Sequence, residues 1–142
     1  PRSDAAVEPL IDVLKGSEVR HRVGLGSFSD RRLATRRKAL GPEVSTSLGP
    51  RGVGLMIAAA RLRLTPKTPD AAAAQVPIRF GRAKVTNQRF ITTAHRAGIE
   101  VHVWTIDEPD QMRRLLDLGV DGIMTDRQDL LRDGLISVGE VA

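Results

Sequence analysis

The chain has 142 residues, enough for one ordinary domain with its own core. Hydrophobic residues make up 41% and charged residues 27%, and no apolar run reaches the roughly 18–20 residues of a membrane-spanning helix. There is no cysteine, which excludes disulfides, thiolate metal sites and a cysteine nucleophile, and aromatics are only 3%, which argues against stacking platforms for single-stranded nucleic acid.

Val7, Leu10, Ile11 and Leu14 recur at helical spacing and predict a helix over 6–15, stopped at Gly16. Residues 22–28 read as a short buried strand. Ser29 or Asp30 caps a helix over about 30–40, with Leu33 and Leu40 facing inward and Gly41-Pro42 as its end. Residues 43–48 form a β-branched second strand. The glycines of 49–64 do not match a phosphate-binding spacing, and no Gly-Lys-Ser/Thr follows; they read as a glycine-rich lead-in to a helix. Two prolines mark 65–74 as a surface connection, and 76–85 reads as a strand or an irregular extended segment. Asn87 opens a helix to about Ala97, ended by Gly98. Residues 99–106 alternate as a strand, Asp107 caps a helix through Leu118, and 120–125 is the next strand. Asp126 caps a last short helix, with Asp129 as its capping-box partner. The fold class is therefore α/β, about four parallel β/α units with right-handed crossovers. An eight-unit barrel takes roughly 250 residues, nearly twice this length, and the pattern alone fits either half of such a barrel or a small open sheet.

The net charge is +5, from 22 Lys+Arg and 17 Asp+Glu. The densest cluster is Arg31, Arg32, Arg36, Arg37 and Lys38, expected to be a solvated helix face rather than a binding patch. The three histidines, His21, His95 and His102, show no metal-ligand spacing. His102 and Trp104 lie two apart and share one face of their strand. Asp107, Glu108 and Asp110 cluster after that strand, as helix-start charges do without any metal.

Residues 99–126, IEVHVWTIDEPDQMRRLLDLGVDGIMTD, resemble the last two β/α units of the glycerophosphodiester phosphodiesterase family. The matching residues are Val103-Trp104-Thr105-Ile106-Asp107, Gly119-Val120-Asp121-Gly122-Ile123 and Thr125-Asp126-Arg127. AHRAG at 94–98 and GSFSDRRL at 26–33 extend the likeness over about 6–136. Gln128 replaces a family proline at a helix start, where proline is structural. The resemblance implies the C-terminal half of a (β/α)8 barrel, within a single partial barrel domain spanning 1–142. It implies an enzyme that hydrolyses glycerophosphodiesters to an alcohol and glycerol 3-phosphate in lipid metabolism. Paired histidines would act as acid and base, with Ca²⁺ or Mg²⁺ held by carboxylates.

The family's catalytic motifs (His-Arg-Gly, Glu-x-Asp, His-Asp and Glu-x-Lys) do not occur in these residues. Arg20-His21-Arg22 is not followed by glycine and precedes the wrong strand. The chain alone is therefore expected to be inactive and to bind no metal, with no catalytic residue of its own. The resemblance makes Trp104 a substrate-pocket wall, and Phe28, at a similar strand-end position, a second one. A non-catalytic binding or vestigial half-barrel is the alternative function. No nucleic-acid partner and no membrane span are expected, a cytoplasmic address is favoured, and an open half-barrel is expected to self-associate through its sheet edges.

Overall fold

The computed structural model describes residues 4–68 and 70–137; positions 1–3, 69 and 138–142 of the predicted domain lie outside the described residues. Helix α1 (Val7–Lys15) leads through a one-turn 3₁₀ segment at Arg20–Arg22 into β1 (Gly24–Leu25). Then follow α2 (Asp30–Leu40), β2 (Ser45–Thr46), α3 (Pro50–Leu62) and β3 (Ala73–Val76). A small antiparallel hairpin, β4 (Arg79–Phe80) and β5 (Ala83–Lys84), precedes α4 (Gln88–Arg96). The chain continues through β6 (Glu100–Val103), α5 (Pro109–Asp117), β7 (Gly122–Ile123) and α6 (Gln128–Ser137).

The parallel strands run in the order β1-β2 and β3-β6-β7, and a parallel bridge between Ser47 and Ala73 joins the two groups. Leu48 N–H donates to Ala73 O (2.7 Å) and Ala72 N–H to Thr46 O (2.9 Å) across that seam. Five parallel strands therefore stand in sequence order, against the four or so units expected. The surface connection expected over 65–74 ends in Ala73 and Ala74, which belong to β3, and the strand or extended segment expected over 76–85 supplies only Val76 to that strand. These alanines join β3 because a strand paired on both sides and buried needs little intrinsic β-propensity.

The register puts Leu25, Thr46, Ala74, Val101 and Val103 on one face of the sheet. All the helices with contacts in the core pack there: Met56 of α3, Phe90, Ile91 and Ala94 of α4, Met112 and Leu115 of α5, and Leu130 and Leu131 of α6. A second, smaller cluster joins Leu14 of α1 and Leu40 of α2 to Leu25 and Val44. Right-handed crossovers that all fall on one side give a sheet with one helical face and one bare face.

The caps explain the helix starts. Asn87 Oδ1 accepts from Phe90 N–H (3.1 Å) and Ser29 Oγ from Arg32 N–H (3.4 Å), as expected. Asp30 serves the next helix instead: its carboxylate accepts from Arg51 N–H (3.3 Å) at the start of α3. A Cβ at Gly49 would strike that carboxylate, so the glycine lead-in makes room for a cap. Two expected caps are replaced. Glu108, not Asp107, stands at the N-cap of α5, and Asp129 pairs with the Arg127 side chain (2.8 Å) rather than closing a capping box.

The basic cluster on α2 is only partly a solvated face. Arg31 and Arg32 pair with Asp4, Arg37 donates to Thr46 Oγ1 (2.7 Å) and Ser47 O (3.0 Å), and Arg36 is fully buried.

Candidate functional site at the strand ends

Trp104 follows β6 directly and continues the bare-face row of Glu100 and His102; its N–H donates to Val76 O (3.2 Å) at the end of β3. Phe28 leaves the end of β1. Their rings meet edge to face, 6.0 Å between centroids and 85° between planes. β1 and β6 are separated by β2 and β3, about 14 Å in a flat sheet. The contact therefore shows that the strand ends curl toward one another over the bare face. Phe28 is 82% exposed and Trp104 half-buried. An uncovered aromatic pair of this kind is a surface for an apolar or planar group rather than a filled core.

Below the pair the bare face is polar and tight. A Cβ at Gly26 would collide with Gln75 Oε1 and press on Ser47 Oγ (3.4 Å). One at Gly122 would lie 2.8 Å from the His102 ring. Glycine at both positions lets the side chains of neighbouring strands lie across the sheet. His102 also pairs with Glu100 (3.1 Å).

The acids after β6 act as struts. Asp107 Oδ1 accepts from Thr125 Oγ1 (2.9 Å) and Asp126 N–H (2.9 Å), tying the loop after β6 to the loop after β7. Thr125 Oγ1 in turn accepts from Arg127 N–H (2.8 Å). The Arg127 guanidinium holds the Asp129 carboxyl down to about 2. Asp110 is tied to Arg113 (2.6 Å) on the surface of α5. Among the described residues no three His, Asp or Glu side chains are grouped so as to hold a metal ion.

At the opposite ends of the strands, Asp121 pins three elements together. Its Oδ2 accepts from Val101 N–H (2.7 Å) and meets His95 Nε2 of α4 (2.8 Å). Partial burial pushes this carboxyl up, but the Val101 amide and the His95 imidazole outweigh it and leave it below the ordinary carboxylate range. His95 is thus a structural partner, as expected of a helix residue. His21 lies exposed on the turn before β1, its Nδ1 3.2 Å from Glu18 O, remote from the aromatic pair in the fold. Asp121, Gln75 and Ser47 were not singled out from the sequence, and Asp30 was read only as a cap for its own helix. Of the first three, only Asp121 left a trace there, inside Gly119-Val120-Asp121-Gly122-Ile123.

The sequence profile of the Glycerophosphoryl diester phosphodiesterase family matches residues 12–130. A Mycobacterium tuberculosis protein named Probable glycerophosphodiester phosphodiesterase 2 is 38% identical over 98% of this chain, which spans 54% of that relative. Two solved structures share the fold. A chain from Silicibacter pomeroyi DSS-3, described as a glycerophosphoryl diester phosphodiesterase, superposes with a TM-score of 0.70 at 23% identity, over 97% of this chain and 49% of its own. A glycerophosphodiester phosphodiesterase from Parabacteroides distasonis ATCC 8503 gives 0.66 at 21% identity, over 95% and 52%. The chain spans about half the length of the relatives it matches. It belongs to the glycerophosphodiester phosphodiesterase family.

Proposed function

We propose that these residues are the C-terminal portion of a glycerophosphodiester phosphodiesterase barrel. In this reading they wall the substrate site, while acid–base and metal chemistry comes from preceding β/α units. The observation that carries it is the Phe28–Trp104 pair, exposed at the strand ends of a sheet that curls over its bare face. Helices on one face only, with parallel strands in sequence order, support a half-barrel over a sheet wound on both sides.

The complete enzyme would add water across a phosphodiester to release glycerol 3-phosphate and an alcohol. The diester anion repels nucleophiles until cations neutralise it, which is the part Ca²⁺ or Mg²⁺ would play, held by residues outside this chain. Trp104 and Phe28 would contact the apolar carbons of the diester and fix its orientation. Glycerophosphodiester is thus the substrate of the whole, and the isolated chain is inactive.

The test is glycerol 3-phosphate release from glycerophosphocholine with Ca²⁺ or Mg²⁺. The chain is assayed alone and fused behind the N-terminal half of the Mycobacterium tuberculosis relative. No turnover alone and turnover in the fusion are expected. In the fusion, Trp104→Ala should lower kcat/KM by roughly tenfold or more while Tm shifts little. Turnover by the chain alone, or a Trp104→Ala loss that merely follows unfolding, would sink the proposal.

A further inference from the structure

The positive charge of this protein is concentrated in one stretch. Residues 44–99 hold nine Lys and Arg against a single acid, Asp70, while the rest holds 13 Lys and Arg against 16 Asp and Glu. The ion pairs of the described residues lie outside that stretch, except where His95 meets Asp121. The stretch includes the β4–β5 hairpin, Arg-Phe-Gly-Arg-Ala-Lys over 79–84, in which every residue is exposed. Gly81 (φ +56°) makes the two-residue turn.

Two strands of two residues are marginal by themselves, but this hairpin is anchored at its base. Val85 N–H (2.9 Å) and Thr86 N–H (3.2 Å) both donate to Ile78 O, and Thr86 Oγ1 donates to Pro77 O (3.2 Å). At its tip Phe80 is 79% exposed, outside both core clusters. Arg79, Arg82 and Lys84 surround it without a carboxylate partner among the described residues. The hairpin leaves the end of β3, where Val76 O accepts from Trp104 N–H, so it stands at the same end of the sheet as Phe28 and Trp104. Three of the chain's four aromatics lie exposed or half-buried at that end, and only Phe90 is in the core.

We propose that the β4–β5 hairpin docks this end of the protein on an anionic lipid surface, with Phe80 entering the headgroup layer and Arg79, Arg82 and Lys84 engaging lipid phosphates. An apolar tip ringed by long cationic side chains suits that boundary. The ring leaves water while the ammonium and guanidinium heads stay among the anions. A protein partner would call for a contoured apolar patch, whereas this tip offers one ring among dispersed cations. Duplex nucleic acid would be served by the cations but not by Phe80.

The test is cosedimentation of the 142-residue chain with vesicles of phosphatidylcholine, alone or mixed with phosphatidylglycerol, at low ionic strength. Binding to the mixed vesicles only, weakened by added salt, is expected. Replacing Arg79, Arg82 and Lys84 with Gln should weaken it by roughly a hundredfold. Phe80→Ser should weaken it by roughly fivefold. Removing three charges elsewhere, with Arg22, Arg31 and Lys38 to Gln, should leave it within about twofold.

Because the chain has no cysteine, an Arg82→Cys variant carrying an environment-sensitive dye reads contact directly, whatever becomes of the multiple variants. Its emission should shift to the blue on mixed vesicles. Absent or equal binding to the two vesicle types, full binding by the triple hairpin variant, or an unshifted dye overturns the proposal. So does duplex DNA that strips the chain from vesicles and depends on the same three cations without Phe80.

Discussion

The two hydrophobic clusters differ sharply. The large one gathers fifteen buried residues between Leu48 and Val120, with α3, α4 and α5 packed around Val101 and Val103 of β6, both inaccessible to solvent. The small one, under α1 and α2, has three, Leu14, Leu25 and Val44, with Leu10, Val23 and Leu40 at its margin. Beside the small cluster α2 buries Arg36, a guanidinium where the large cluster has only apolar groups. The contrast teaches that the β3–β7 part carries its own core. The β1 side is a thin layer at a sheet edge.

Truncating each core breaks or sustains that comparison most directly. Phe90→Ala should cost about 3–5 kcal/mol and unfold the chain, while Leu25→Ala, at the rim of the small cluster, should cost about 2 kcal/mol. Urea melts give both numbers, and amide exchange should show 24–46 opening before 74–103. Equal costs with simultaneous exchange would mean the two clusters are one cooperative unit.

The same contrast governs what could be read from sequence. The last third was legible because its strands and helices are short, amphipathic and punctuated by glycine: α4 falls where Asn87, Gly98 and the apolar spacing put it, and Trp104 stands on the face that strand alternation assigned. β3 starts earlier than the segment expected over 76–85 because the alanines at 71–74 carry no strand signal; pairing between β2 and β6 makes Ala73 and Ala74 part of it. Asp107 was misassigned because an acid before a helix looks like a cap, and its true partners, Thr125 and Asp126, lie 18 and 19 residues on. Phe28 and Trp104 were each named, but their contact depends on the curl of the sheet, which no local pattern encodes. Arg36 and Arg37 look alike in sequence; a one-residue step around α2 decides which is buried.

Asp121 offers the next test, because it ties β6, the start of β7 and α4 within the large cluster's half. Asp121→Asn should cost about 1–2 kcal/mol, toward the low end for charge-assisted bonds because the side chain is 34% exposed. The pH dependence has a definite sign. The folded-state pKa is depressed, so this stabilisation is present above the unfolded value of roughly 3.9 and lost as pH falls through the folded pKa. His95 and, at longer range, His102 are the charges that depress it alongside the Val101 amide. The wild-type and Asp121→Asn stabilities should converge in acid; a gap that persists there would assign the loss to packing rather than charge.

The smallest effect separates the two adjacent arginines of α2. Arg36 has no accessible surface, and among the described residues its Nη1 reaches only Gly26 O at 3.4 Å while Nε and Nη2 have no acceptor. Burial, with Arg32 nearby, pulls its pKa down, as a cation in the wrong medium requires. Arg37, half-buried, makes two good bonds to Thr46 and Ser47. Replacing a buried, unsatisfied guanidinium with an unbranched apolar side chain removes a desolvation penalty and keeps most of the volume. Arg36→Met should therefore be neutral or stabilising by about 1 kcal/mol, whereas Arg37→Met should cost about 1–2 kcal/mol. If Arg36→Met destabilises instead, its guanidinium is satisfied in solution by buried water, and the small cluster is better built than its contacts suggest.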